Sequence, residues 1–406
     1  MHTIEGGVCA PKGFRASGYH CGLRRKPVND ISLIVSDTMA SAAAVFTTNL
    51  TKGAPLVISK ENLIKSGGYA QAILCNSGNA NTCTHNGIDN ARAMCALVEK
   101  HMGIKKENVL VSSTGVIGKP MSMEPIETGI APLIEGLGYD KSRDAAEGIL
   151  TTDLALKEIA ISFEIGGKEC HMGAIAKGSG MIHPNMATML VFATTDVNIT
   201  PEMLQKALSL DVKDTFNMVS VDGDTSTNDM VAILANGMAK NPVIDSEGED
   251  FDAFLSALRS VTAPMCKAIA KDGEGASKLL TCEVSGANTV ESARVVAKTI
   301  VCSTLFKAAM FGMDANWGRV LCAIGYSGAD VNVEKVDVAF CSKAGSVTVC
   351  ECGVGIPFDE DLAKLILSED EITLHIHLNS GEGFATAWGC DLTYDYVKIS
   401  GNYRSR

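Results

Sequence analysis

Positive charge is scarce in this chain. Its 35 lysines and arginines are outnumbered by 47 aspartates and glutamates, leaving a formal net charge of -12 and a pI near 5.2. Nucleic-acid surfaces normally carry a basic patch or stripe, so neither nucleic acid nor an anionic membrane is an expected partner. An acidic small molecule stays admissible, because one lysine or arginine can hold a carboxylate whatever the total charge. The sequence also lacks any apolar run of membrane-spanning length, and Met1 to Phe14 has no apolar core of the signal-peptide kind. The cytoplasm is therefore the expected compartment. Internal repeats and low-complexity linkers are missing too. With 46% hydrophobic and 20% charged residues over 406 positions, the chain has the composition of a packed protein of two or three domains, or of one elaborate domain.

Ligand-type spacings are equally sparse. The 14 cysteines are scattered singly from Cys9 to Cys390, and apolar stretches such as those ending at Cys75 and Cys322 predict buried free thiols. Cys350-Glu351-Cys352 has neither the two-residue spacer nor the second pair of a zinc site. His375 and His377 alternate on one face of a predicted strand without a third ligand, which reads as two ordinary strand histidines. The run Asp222 to Asp229 lacks the glycine position and the twelfth-position glutamate of a calcium loop, so a polar structural or active-site loop is expected there. No glycine-rich nucleotide fingerprint gives local support to binding of acetyl-CoA or ATP. No metal and no cofactor are expected.

Alternating element types are plentiful. Short apolar runs predict strands over 31–35, 42–46, 72–75, 109–112, 159–163 and 189–193. Amphipathic spacing predicts helices over 88–101, 125–137, 202–219, 251–270 and 290–311. Strands over 372–378 and 384–388 imply that the C-terminal part completes a sheet, and the whole reads as a layered α/β architecture. Glycine and polar clusters at Asn76 to Asn81, Asp222 to Asp229 and Lys271 to Ser277 are expected to be loops, where sites are usually built.

One segment carries chemistry: Ala176-Lys177-Gly178-Ser179-Gly180-Met181-Ile182-His183-Pro184-Asn185-Met186-Ala187-Thr188-Met189-Leu190. A glycine turn leads through a proline-stiffened loop to a β-branched residue opening an apolar strand, a suitable place for an N-terminal nucleophile. Threonine needs a base to take its proton. A free α-amino group, with a pKa near 8, can serve within the same residue, and chain scission would create it. Taken alone, Ala-Thr at a strand start would be only a strand start.

The segment Lys177 to Leu190 resembles the self-cleavage site of the ornithine acetyltransferase family, the bifunctional glutamate N-acetyltransferases of arginine biosynthesis. Gly7 to Phe14, Cys75 to Asn81, Ser113 to Gly118, Val221 to Asp229, Asp272 to Ala276 and Asp314 to Arg319 resemble further family blocks in family order, so the likeness spans nearly the whole chain. It implies an α/β sandwich of the self-cleaving N-terminal-nucleophile type, related to DmpA-like aminopeptidases, with a smaller C-terminal α/β portion. It further implies scission between Ala187 and Thr188 into an α chain of residues 1–187 and a β chain of residues 188–406, assembled as α2β2.

By the same resemblance, Thr188 is the nucleophile that becomes acetylated and also contacts substrate. Thr114 and Gly115 match the pair forming the oxyanion hole; unaided, Ser113-Thr114-Gly115 reads as a strand-ending turn. Lys177 matches a substrate-binding lysine suited to an α-carboxylate and otherwise reads as a solvated surface residue. Glu274 matches an acidic substrate contact, able to hold the ornithine ammonium, and otherwise reads as an exposed loop carboxylate. Thr151 fits a further contact, with Thr152 or a helix-capping role as alternatives. The family usually ends with an Ile-Asn pair followed five residues after the asparagine by Thr or Ser. Here Ser400 stands for the asparagine and Ser405 keeps its place, with Asn402 nearby as a substitute amide.

The activity so implied is ping-pong transfer of acetyl from N2-acetyl-L-ornithine to L-glutamate, with acetyl-CoA as an additional donor in some relatives. Hydrolysis with water in place of glutamate is the enzymatic alternative. A binding or assembly protein that kept the scaffold but lost the cut is the non-enzymatic one.

Overall fold

The computed structural model describes residues 1–183 and 189–402. The chain divides into two compact units, each assembled from three segments. The first takes Met1–Gly178, Asn185–Lys213 and Thr225–Met265; the second takes Ser179–Pro184, Asp214–Asp224 and Cys266–Arg406. Both are α/β, as the alternation of periodicities predicts, and among the described residues no helix is long and apolar enough to cross a membrane.

In the first unit the described residues form a nine-stranded sheet. Its path runs through His2–Ile4, Lys157–Ile165, Lys168–Lys177, Leu190–Thr195, Met230–Ala235, Ile31–Phe46, Tyr69–Asn76 and Val109–Ser113, with Phe14–Tyr19 pairing as well on Ile31–Phe46. Side chains alternate across a strand. Accordingly Ile31, Leu33 and Val35 enter one core, shared with the helices Ala54–Ser66, Gly87–Met102 and Glu124–Glu135, while Ile34 enters another with Phe192, Leu190 and Met230. That second core also takes Ala145 and Ala146 of the helix Ser142–Gly148.

The expected strands over 31–35 and 42–46 are one strand, Ile31–Phe46, whose pairing with Tyr69–Asn76 shifts register between Val35 and Ala40. Exposed Asp37, Thr38 and Met39 interrupt the apolar pattern there, and the bulge lets the strand bend without ending.

The second unit holds a seven-stranded sheet in the order Val354–Gly355, Gly345–Glu351, Asp337–Ser342, Glu371–His377, Leu279–Ala287, Gly383–Cys390 and Val219–Ser220. The helix Val290–Cys302 packs on Leu279–Ala287 and Gly383–Cys390. The helix expected over 290–311 breaks in two at Ser303, whose hydroxyl accepts the Phe306 N–H and caps a new helix, Thr304–Phe311. The helix expected over 202–219 stops at Asp214; Phe216–Met218 form a 3-10 turn, and Val219 opens the short edge strand Val219–Ser220. Cys322 corrects another expectation. It is exposed on the helix Trp317–Tyr326, because helical period turns that position outward although its neighbours are apolar.

Glycine serves packing at Gly173, where a Cβ would sit 1.7 Å from the Gly7 carbonyl oxygen. At Gly325, helical and exposed, a Cβ would meet nothing within 4 Å. Gly173→Ala should therefore lower the midpoint of chemical denaturation, by about 2 kcal/mol or more in stability. Gly325→Ala should raise it by up to about 1 kcal/mol. Equal effects of one sign would contradict this packing.

Candidate active site

Several strand ends of the first unit meet at one place. Lys177 is the last residue of its strand and pairs with Leu190. The carbonyl of Met189 accepts the N–H of Met230, 2.9 Å away. Two residues before Met230, the buried Asn228 amide donates to the carbonyls of Ala80 (2.6 Å) and Ser113 (2.9 Å). Its Oδ1 accepts from the hydroxyls of Thr82 and Thr227, each at 2.6 Å. Three strand spacings, roughly 14 Å, would separate Met230–Ala235 from Val109–Ser113 in a flat sheet. The direct bond from Asn228 to Ser113 shows how far the sheet curls.

Thr114 follows Ser113 directly and donates its N–H to the Asn76 carbonyl at 2.9 Å. Asn76 in turn accepts from the Ser113 hydroxyl and donates to the Asn79 carbonyl at 2.9 Å. Gly115 has φ +131°, and a Cβ there would meet Asn79 N and Gly78 C at 2.9 Å, so only glycine fits without displacement. Among the described residues the Gly115 N–H has no hydrogen-bond acceptor. A half-buried turn with a fixed hydroxyl residue and an uncommitted N–H can receive an anionic oxygen.

The packing continues outward from that turn. A Cβ on Gly78 would fall 2.4 Å from the Leu23 side chain, and the neighbouring Arg24 guanidinium donates to the carbonyls of Leu150 (2.9 Å) and Thr151 (3.3 Å). The Thr151 N–H donates to Asp153 Oδ2 at 3.1 Å. Asp153 Oδ1 accepts from Lys157 Nζ at 2.8 Å and from the Gly178 N–H at 2.7 Å. Burial alone would raise the Asp153 carboxyl; the charges of Lys177 and Lys157, with hydrogen bonds from Lys157 and Gly178, outweigh it and hold it at about 2 instead of the ordinary 3.8.

Lys177 is only 8% exposed, against the solvated reading of its sequence position. Its charge is felt by Asp153 and by Cys75, whose thiol burial pushes to about 12 against the pull of Ser112 and Lys177. Among the described residues its ammonium donates no hydrogen bond. Thr114, Gly115, Thr151 and Lys177 thus belong to one continuous set of contacts.

Glu274 and Ser400 belong to the second unit and meet there, the Ser400 hydroxyl donating to Glu274 Oε2 at 3.0 Å. Glu274 is buried rather than exposed, its N–H donates to the Ser179 carbonyl at 2.9 Å, and its carboxylate lies over Gly180, where a Cβ would come within 2.5 Å. The Asn402 amide bonds the Lys398 carbonyl of its own helix turn. Asp222 accepts the N–H groups of Met181 (2.6 Å) and Ile182 (2.8 Å), and so fixes the segment leading to the expected cut. His183 Nδ1 lies 3.1 Å from the Ser220 hydroxyl; burial first, and the Lys298 charge second, lower its pKa to about 4. Ala187, Thr188 and Ser405 lie outside the described residues.

Sequence reading placed Asn228 and Asp222 only in a loop expected to be structural or active-site, and Asn76 only in a loop cluster, and gave no role to Asp153 or Lys157. Asn228 and Ser113 are 115 positions apart, and no spacing rule links them. The one available signal was a polar residue placed next to a strand end in a quoted block.

A layered α/β protein with a polar cradle at its strand ends narrows the class, and similarity narrows it further. Residues 15–405 match the ArgJ family. Among curated relatives, the "Arginine biosynthesis bifunctional protein ArgJ" of Caldanaerobacter subterraneus subsp. tengcongensis is 49% identical over 406 residues, covering 100% of both chains. That of Clostridium acetobutylicum, numbered ArgJ 1, is 48% identical over 393 residues, 97% of this chain and 96% of the relative. The crystal structure of the ArgJ protein of Bacillus halodurans is 46% identical with a TM-score of 0.50, covering 53% of this chain and 100% of that one. The chain belongs to the ArgJ family.

The folded Asp153 value lies below the unfolded one, so its carboxylate stabilises the fold above about pH 4, and that contribution is lost as pH falls from 3.8 towards about 2. Asp153→Asn should cost about 3–5 kcal/mol at neutral pH, because it takes the carboxylate of a buried ion pair from Lys157. The gap in melting temperature between wild type and variant should narrow as the solution is acidified through that window. A gap that stays constant or widens would contradict the assignment.

Proposed function

We propose that this chain is a self-processing transacetylase of arginine biosynthesis. It cuts between Ala187 and Thr188 into an α chain of residues 1–187 and a β chain of residues 188–406, which assemble as α2β2. It then moves the acetyl group of N2-acetyl-L-ornithine to L-glutamate. The observation that carries this reading is the position of Met189. Thr188 is its covalent neighbour, and Met189 is bonded to Met230, two residues from the Asn228 amide that holds the carbonyl before Thr114. That hydrogen-bonded path from Met189 to Ser113 supports the reading. The relatives' description as bifunctional proteins of arginine biosynthesis supports the pathway. The Bacillus halodurans chain is matched whole by a little over half of this one, which is what a processed β chain would give.

The steps follow from the groups present. The Thr188 hydroxyl attacks the acetyl carbonyl while its own α-amine takes the proton. Charge collecting on the carbonyl oxygen is met by the Gly115 N–H and the Thr114 hydroxyl, each worth roughly 2.7–4 kcal/mol in comparable sites. The C–N bond breaks, the α-ammonium returns its proton to the departing amine, and ornithine leaves an acetyl ester on Thr188. The glutamate amine attacks that ester by the same path in reverse. Lys177 pairs with the α-carboxylate common to both substrates, and Glu274, with Ser400 beside it, holds the ornithine side-chain ammonium. Thr151 and Ser405 complete the substrate contacts.

Thr188→Ala should run as one full-length band of 42.7 kDa on a denaturing gel and show no transfer, whereas the wild type should run as two bands of nearly equal size. Gly115→Ala should lower kcat by about a hundredfold or more. Release of free acetate that glutamate does not redirect would contradict transfer in favour of hydrolysis. An unsplit wild-type chain with full activity would contradict the mechanism altogether.

A further inference from the structure

One cavity of the first unit, about 330 Å³ in volume, has no part in the proposed transfer. Its wall includes Lys52, Asn81, Cys83, Thr84, His85 and Ile88. Two oxygens there are buried without a partner. Asn81 is 0% exposed and its amide donates to the Gly87 carbonyl at 2.9 Å, but among the described residues neither its Oδ1 nor Thr84 Oγ1 has a hydrogen bond. A Cβ on Gly87 would stand 3.1 Å from Thr84 Oγ1 and 3.2 Å from Asn81 Oδ1, so the glycine leaves both open. A buried polar atom costs free energy until a partner from outside the protein reaches it.

The backbone is unusual at the same place. Asn81 and Cys83 have φ of 51° and 58°, left-handed values that an asparagine tolerates and a cysteine rarely adopts. Residues so held concentrate at ligand clamps and other functional sites. Cys83 is also exposed, so its sulfur is open to reagents from solvent.

Charge distinguishes this thiol from the others. Among the described residues the Lys52 ammonium has no hydrogen-bond or ion-pair partner. The helix Gly87–Met102 begins at the cavity without a side-chain cap, which leaves its first N–H groups for an anion. Two further cysteines are exposed, Cys322 on the helix Trp317–Tyr326 and Cys352 after Glu351. The Cys352 N–H donates to Asp337 at 2.8 Å, so that thiol has carboxylates for neighbours where Cys83 has an unpaired ammonium.

We propose that Cys83 is a reversible modification site for a small disulfide of the amino-acid or peptide kind, one that carries both carboxylate and N–H groups. The carboxylate goes to Lys52 and the helix start, an N–H goes to Asn81 Oδ1, and a disulfide sulfur meets the thiol. The Cys83 thiolate attacks that sulfur. A new S–S bond forms to Cys83, the old one breaks, and the departing thiolate takes up the proton that Cys83 gave. Cys83 is thereby oxidised and half of the disulfide reduced, with no other reactant. The adduct stands one residue from Thr82, whose hydroxyl donates to Asn228 Oδ1 at 2.6 Å, and an excess of free thiol removes it.

The test takes the whole protein, glutathione disulfide as probe and bis(2-hydroxyethyl) disulfide as its uncharged counterpart, and follows each cysteine by peptide mass spectrometry. With glutathione disulfide, Cys83 should gain its adduct at least about tenfold faster than Cys322 or Cys352. With the uncharged disulfide that lead should shrink to within about threefold, because the reagent has no carboxylate for Lys52. Lys52→Met should slow the glutathione reaction at Cys83 by about fivefold or more and leave the uncharged reaction within about twofold. A Cys83 no faster than Cys322 and Cys352 would overturn the proposal. So would an equal lead with both disulfides, which would mean that exposure alone decides, or a Lys52→Met rate equal to that of the wild type. If Lys52→Met does not fold, the comparison of the two disulfides on the wild type still decides. None of these readouts depends on acetyl transfer or self-processing.

Discussion

The amide of Asn228 joins two chain segments that the sheet order places three strands apart, and the candidate site depends on that junction. It donates to Ser113 and Ala80 and accepts from Thr82 and Thr227, so all its hydrogen-bonding capacity is spent inside the protein. The bend in Ile31–Phe46 makes the junction possible by turning Tyr69–Asn76 and Val109–Ser113 back towards Met230–Ala235. Removing the amide would cost the Ser113 carbonyl and the Thr227 hydroxyl this partner, while the Thr82 hydroxyl keeps its bond to the Ala80 carbonyl, a heavier cost than loss of any one bond. The turn at Thr114 and Gly115 inherits its position from this arrangement and needs little of its own.

Charge is handled differently in the two units. In the first, Lys157 and Asp153 form a fully buried pair that stabilises little in itself but fixes the backbone of Thr151 and Gly178. In the second, Asp222 satisfies the N–H groups of Met181 and Ile182, and Glu274 covers Gly180. In each unit, then, a carboxylate clamps backbone N–H groups, that of Gly178 in the first and those of Met181 and Ile182 in the second. Any process in which strain is held at a loop needs its flanks held rigidly.

The layered α/β class was legible because strands and amphipathic helices of the chain differ cleanly in period. Boundaries failed where a local device overrode the pattern: a bulge between Val35 and Ala40 merged two strands, and a serine cap at Ser303 split one helix. Thr114, Gly115, Thr151, Lys177, Glu274 and Ser400 could be named as candidates because the quoted blocks resemble a family. Composition would have left Lys177 and Glu274 on the surface, and both are buried. Asn228, Asp153 and Asp222 stayed unassigned, since their partners are distant in sequence and polar residues near strand ends are common.

Everything chemical in the proposed transfer turns on Thr188 bearing both a hydroxyl and a free amine. The most direct measurement is intact mass spectrometry of the protein incubated with N2-acetyl-L-ornithine and no glutamate, then quenched in acid. The account predicts a polypeptide beginning at Thr188 that gains one acetyl group and loses it when glutamate is added. A chain that gains none, or an acetyl group that glutamate cannot remove, would contradict it.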